Sequence, residues 1–365
     1  MSRDPSRIVG IDIARGLAVL GMFGAHIGVT EPFAIAEPST WLDVVNGRSS
    51  ILFALLAGVS IALISGGREI PEGLVLLRAR QRILVRAAMI FVIGGALELL
   101  GTAIAVILPV YAVLFVVAIL FLRWPPRHLF IAAAALSIVA PAVAWIIGPT
   151  VESTPGEPSP FASLVITGNY PALIWIVFVL AGLGIGRLDL TTRATRMRLL
   201  VVGIALAVVG YSTGMLAEAG ADSRFGGIAT IDPHSGSPFE VIGSTGCAVA
   251  VLALCLSVAT RAGRFLFPIA AVGSLALSAY ATHIVVLFFL GDDSFRQSDN
   301  TLYVLFILVA LAACSVWALA LGRGPLERLL ASVTRLATRQ PPHSGDGITT
   351  TPPHRLEGER KQGES

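Results

Sequence analysis

Apolar residues run in long blocks along this chain, broken by short polar or charged stretches, and that pattern sets its class before any motif is considered. The blocks predict membrane-spanning helices over 11–29, 49–66, 83–99, 103–122, 128–148, 170–186, 199–217, 241–260, 267–290 and 301–322. At about 1.5 Å of rise per residue, a block of about 20 reaches across one bilayer core. Lipid offers the backbone no hydrogen bonds, so such blocks fold as helices, and they lack the alternation of a barrel strand. The expected fold class is all-α: a polytopic transmembrane helical bundle of about ten spans, forming one unit over 1–322.

Composition agrees. Hydrophobic residues make up 55% of the 365 and charged residues only 13%, against about 25% charge in soluble domains. Charge then orients the bundle. With a cytoplasmic N-terminus, 26 Arg and Lys fall on the inner side except Arg48, Arg224 and Arg296, a bias that cytoplasmic loops carry. Both termini are therefore expected in the cytoplasm of a plasma-membrane protein. The net charge of +3 is accounted for by topology and lipid contact, and calls for no nucleic acid. Arg3, Arg7 and Ala34-Ile35-Ala36 resemble a cleavable leader, but the apolar stretch is too long and too charged for one, and 11–29 is read as a retained span.

Beyond the last span, 323–339 places leucines opposite Arg328, Arg335 and Arg339, the pattern of an interfacial amphipathic helix. The segment 340–365 is polar and rich in Pro and Gly, and is expected to be disordered. Cys247, Cys255 and Cys314 lie within spans with no metal or redox spacing, and read as packing residues.

Ionisable groups inside spans are costly, so each is a functional candidate. Arg15 and His26 stand eleven residues apart, which brings them within roughly 20° of one helix face and about 16 Å apart along the axis. The plain reading of Arg15 is a one-turn ion pair with Asp12. His26, Glu98, His234, Glu240 and His283 all map to the outer half. An imidazole there suits a general base or an acyl carrier, with carboxylates orienting it. Arg15, Arg48, Arg82 and Arg86 are the candidate holders of an anionic ligand. No HExxH or CxxC suggests a metal.

These residues also carry a resemblance. Arg15 followed after ten residues by His26 is similar to the first-span motif of integral membrane acyltransferases of family three. RIVGIDIARGLAVLGM and NGRSSILFALLAGVSIAL resemble the heparan-alpha-glucosaminide N-acetyltransferase catalytic domain. TGNYPALIWIVFVLAGLGIGRLDL, PHSGSPFEVIGSTGCA, VGSLALSAYATHIVV and GRGPLERLL resemble YeiB-like bacterial membrane proteins. The resemblance implies acetyl transfer from cytoplasmic acetyl-CoA, or another acyl-CoA as co-substrate, to an extracytoplasmic glycan, lipid or small-molecule acceptor. It also implies Arg15 on the CoA side and His26 as the outer catalytic residue, assisted by His234 or His283. The chain departs from the heparan enzymes in one respect: 27–48 contains no histidine. A transporter with an outer His/Glu proton relay, and a catalytically silent membrane scaffold, stay open beside this reading, as does assembly into a homodimer.

Overall fold

The computed structural model describes residues 8–29, 31, 34, 36–153, 159–220, 227–291 and 300–338. The expectation of a disordered 340–365 lies outside them. Among the described residues the chain is helical throughout, with no strand. In order, the helices are α1 (Val9–Ile27), α2 (Arg48–Ile64), α3 (Gly73–Glu98), α4 (Leu108–Ala118), α5 (Pro126–Glu152), α6 (Ala172–Gly186), α7 (Arg193–Gly220), α8 (Pro238–Ala262), α9 (Phe267–Ser274), α10 (Ala276–Leu290), α11 (Asn300–Ala320) and α12 (Pro325–Ala337).

Length and composition qualify six of the helical stretches to cross a membrane, or eight when each of two bent pairs counts as one span. Of the remaining blocks, 83–99 lies within α3, a longer helix whose first half is studded with arginine, and 103–122 is the short α4 with a 3-10 turn after it. The block 267–290 is two helices, α9 and α10, bent by 81° about Leu275. A second bend, of 54°, separates the short helical segment Pro160–Thr167 from α6.

The first helix is the axis of the bundle. α1 packs against α2, α8, α9, α10 and α11, and 78% of its apolar window is buried, against 6% for α11 at the periphery. Small residues make the close crossings work. A methyl group at Gly273 of α9 would overlap the carbonyl oxygen of Asp12, and one at Gly16 of α1 would overlap the carbonyl of Ile269. Helices α2 and α6 cross in the same way at Gly58 and Gly182. The two ends of α1 are therefore fixed against different neighbours: Asp12 and Arg15 against α9, and His26 against α10.

Two polar clamps hold the loops. Arg187, only 5% exposed, donates to the carbonyls of Gly67, Glu69 and Leu122 at 2.7, 3.0 and 3.0 Å and to Ser65 Oγ at 3.0 Å. It ties the turn after α2 to the end of α4. Glu327 of α12 accepts from the amides of Leu277 and Ser278 at 2.8 and 3.1 Å, and from the Ser278 hydroxyl. The free amides that the α9–α10 break creates are thus satisfied by a carboxylate from a different helix.

Candidate functional site

His26 sits in the last turn of α1, and its Nδ1 lies 2.9 Å from Nε2 of His283 on α10. The rings are nearly parallel, with centroids 5.1 Å apart. At that separation the two nitrogens share one proton, so one imidazole donates and the other accepts. Nε2 of His26 has no hydrogen-bond partner among the described residues. It opens instead on a cavity of about 70 Å³ lined also by Asn46, Ser49, Ser50, Tyr170, His234 and Tyr280. His283 stands behind His26, 3% exposed, packed between the rings of Phe23 at 4.6 Å and Tyr280 at 5.3 Å.

His234 reaches the same cavity from a loop. Its ring is stacked on Trp175 at 6.4 Å and meets the edge of Tyr170 at 5.3 Å. Its backbone is left-handed, φ +63°, a conformation that needs outside support. Glu240 supplies that support: Oε1 accepts the His234 amide at 3.0 Å, while Oε2 accepts the Gly236 amide at 2.8 Å and the Ser235 hydroxyl at 3.5 Å. Ser237 caps α8 by accepting the Glu240 amide at 3.0 Å, an N-cap followed by Pro at the first position. Burial holds the His234 imidazole below its ordinary pKa, because charge is costly away from water. The ring is neutral at neutral pH.

A second cluster lies at the other end of α1. Arg15 pairs with Asp12 at 3.2 Å, donates to Ser60 Oγ of α2 at 3.0 Å and approaches the Gly273 carbonyl at 3.5 Å. Arg86 of α3 lies within electrostatic range of Arg15, Arg82 and Arg323. Its Nε is buried with no partner, and no carboxylate pairs with its guanidinium among the described residues. Between the two clusters Ala18, Val19 and Phe23 are packed into the core.

Residues 7–216 match the family described as heparan-alpha-glucosaminide N-acetyltransferase, catalytic. The chain belongs to that family. Residues 185–337 match a second family, described as a protein of unknown function, DUF418, and comparison with curated proteins gives no match. The cavity joins the two matched parts of this member of the acetyltransferase family. His26, Asn46, Ser49, Ser50 and Tyr170 come from the first, and His234, Tyr280 and, behind them, His283 from the second.

Not every candidate residue comes to these sites. Glu98 ends α3 on an exposed turn and does not line the cavity, although it lies within electrostatic range of Tyr280, which does. Glu240 borders a small cleft beside His234, where its oxygens are taken up by backbone amides. Arg48 starts α2, twelve residues or roughly 18 Å of helix from the Ser60 that Arg15 touches. It donates from Nε to Tyr211 Oη at 2.8 Å and lies over that ring at 5.0 Å, so it is not part of the Arg15–Arg86 cluster. Sequence reading missed Tyr170, Tyr280, Asn46 and Arg323. Tyrosine in an apolar run looks like packing, and only the α9–α10 bend shows which face Tyr280 presents. Among the described residues no group of three or more His, Cys, Asp or Glu is arranged to hold a metal ion.

Proposed function

We propose that this member of the acetyltransferase family moves an acetyl or other acyl group from cytoplasmic acyl-CoA to an extracytoplasmic sugar, lipid or small-molecule acceptor, with His26 as general base. The observation that carries this reading is the His26–His283 pair, in which one nitrogen of His26 is tied down and the other opens on a cavity. With the shared proton on Nδ1 of His26, its Nε2 is a lone pair facing the cavity. His283 then acts as the orienting partner that a catalytic imidazole requires. Attack by the acceptor's amine or hydroxyl on the thioester carbon passes the nucleophile's proton to Nε2, and the leaving thiolate takes it back.

Arg86, Arg82, Arg15 and Arg323 hold the donor's phosphates on the inner side. A guanidinium without a carboxylate in this low-dielectric setting calls for an anion from outside the chain, and Arg presents the planar fork suited to phosphate. The donor's reactive end must then reach about 16 Å along α1 to His26, past the packed Val19 and Phe23. An exporter would also use a broken helix such as α9–α10 to bind its cargo, but here Glu327 already occupies the freed amides.

The test is purified protein in detergent with acetyl-CoA, followed by thermal protection and by release of free CoA thiol. Wild type is expected to show both, and His26→Ala to keep the protection and lose thiol release. Absence of protection by acetyl-CoA and by longer acyl-CoAs would overturn the proposal.

A further inference from the structure

Resting on that acyl-transfer reading, we infer that the hydroxyl of Tyr280, with that of Tyr170 beside it, donates the hydrogen bonds that receive the negative charge formed on the thioester oxygen.

Most of the side-chain protons around the cavity are committed to acceptors within the chain. Ser49 Oγ donates to the Val45 carbonyl at 2.7 Å and Ser50 Oγ to the Gly47 carbonyl at 2.7 Å. Asn46 Nδ2 is directed at Asp43 Oδ1 at 3.4 Å. Tyr111, nearby, gives its hydroxyl proton to the Ser50 carbonyl at 3.0 Å. Tyr280 differs from all of these. Its oxygen accepts the buried amide of Ile107 at 3.4 Å, which uses a lone pair and leaves the O–H without an acceptor among the described residues. Tyr170 Oη has no hydrogen-bond partner there at all. Both rings line the cavity with His26, and the phenol groups of Tyr111, Tyr170 and Tyr280 lie within electrostatic range of one another.

Tyr280 is also held in place. It is 2% exposed, stands one turn before His283 on α10, and meets that ring edge-on at 69°. The base and the donor are therefore mounted on one rigid cluster, Tyr280–His283–His26. The first turn of α2 lines the cavity at Gly47, Ser49 and Ser50 and has no side-chain cap, so the positive end of a helix dipole adds to the same field. Preorganised donors of this kind act on charge that develops only in the transition state.

The step balances. The acceptor's N or O forms a bond to the carbonyl carbon, its proton moves to His26 Nε2, and the carbonyl π pair moves to oxygen, where the Tyr280 and Tyr170 O–H groups bind it. Collapse restores the carbonyl, breaks the C–S bond and releases CoA thiolate, which takes the proton from His26. Both tyrosines keep their protons throughout.

The experiment is infrared difference spectroscopy of carbonyl-labelled acetyl-CoA bound to the full chain in detergent, together with thiol release using glucosamine as the probe acceptor. In wild type the bound carbonyl is expected at lower frequency than the free thioester. Tyr280→Phe moves it back towards the free value, and Tyr170→Phe does so in part. Where turnover is measurable, kcat falls by about 10²- to 10³-fold in Tyr280→Phe with little change in KM. A ring-fluorinated tyrosine at 280, a stronger donor that retains the Ile107 contact, lowers the frequency further, and this arm decides the matter if Tyr280→Phe does not fold. A bound carbonyl with the same frequency in wild type, Tyr280→Phe and the fluorinated protein would overturn the inference alone. No acetyl-CoA protection of wild type would overturn the acyl-transfer reading, and this inference with it.

Discussion

Glu240 and His234 are joined through the backbone, the carboxylate accepting the histidine's amide at 3.0 Å while the imidazole turns away to stack on Trp175. A left-handed residue other than glycine stores strain unless its surroundings fix it, and here a single buried carboxylate, 4% exposed, does the fixing through two amides and a hydroxyl. Glu240→Gln replaces one accepting oxygen by an NH₂ that faces an amide proton. The expected cost is about 1–3 kcal/mol of stability, read as a lower unfolding temperature in detergent. His234→Gly is expected to cost less, because glycine adopts the same backbone freely.

The charge state of His234 makes stability depend on pH. Burial depresses its pKa in the folded protein, so below the ordinary value of about 6.5 the unfolded chain binds a proton that the folded one refuses. Its contribution is complete above that pH and is lost as pH falls towards the depressed value, with a slope of at most about 1.4 kcal/mol per pH unit for one histidine. The groups facing it are His26 from α1, Tyr170 just before α6 and Trp175 within it, and Glu240 beneath its own loop. Unfolding temperature measured from pH 8 down to pH 5 (about one and a half units to either side of 6.5) should fall in wild type and fall less steeply in His234→Gln. Equal slopes in both proteins would remove His234 from the account.

Much of this arrangement was legible in the chain, and what was hidden has a common cause. The apolar blocks locate helices because lipid forces backbone hydrogen bonds inward, and the cost of burying an imidazole singles out His26, His234 and His283, of which the first two line one cavity and the third stands behind His26. The bend at Leu275 left no comparable trace. No proline marks it; what allows it is Glu327, fifty residues away in sequence, which caps the new helix end. For Arg48 the missing information is of the opposite kind: a charge near a span boundary announces its cost but not its partner, and the structure places it against Tyr211, far along the chain.

The α1–α9 crossing should be intolerant of even one methyl group. Gly273 meets the Asp12 backbone and Gly16 the Ile269 backbone, and neither neighbour can rotate away as a side chain would. Gly273→Ala is expected to destabilise by about 1–3 kcal/mol, in the manner of other overpacked sites. It should also push α9 from α1 where Arg15 approaches the Gly273 carbonyl, so donor protection by acetyl-CoA should weaken along with stability. Ala at Gly95, where an added Cβ meets nothing within 4 Å, is the control and should be close to neutral in both measurements.

Arg86 and Arg48 look alike in sequence and sit in opposite surroundings. Arg86 has a buried Nε without a partner and neighbours that are themselves cations, so no carboxylate among the described residues neutralises it and a bound anion would relieve that repulsion. Arg48 has a phenol oxygen at 2.8 Å and a ring face to lie on, and no such need. Arg86→Gln should therefore raise the unfolding temperature of the protein alone, because a crowded charge is removed, while reducing its protection by acetyl-CoA. Arg48→Gln should do the reverse, lowering unliganded stability through loss of the Tyr211 contact and leaving the protection intact. Since acetyl-CoA and dephospho-CoA differ in phosphate count as well as acyl group, free CoA and dephospho-CoA serve as the matched pair of ligands. If Arg86→Gln protects as well as wild type with all three, the phosphates bind elsewhere and the inner cluster has no part in holding the donor.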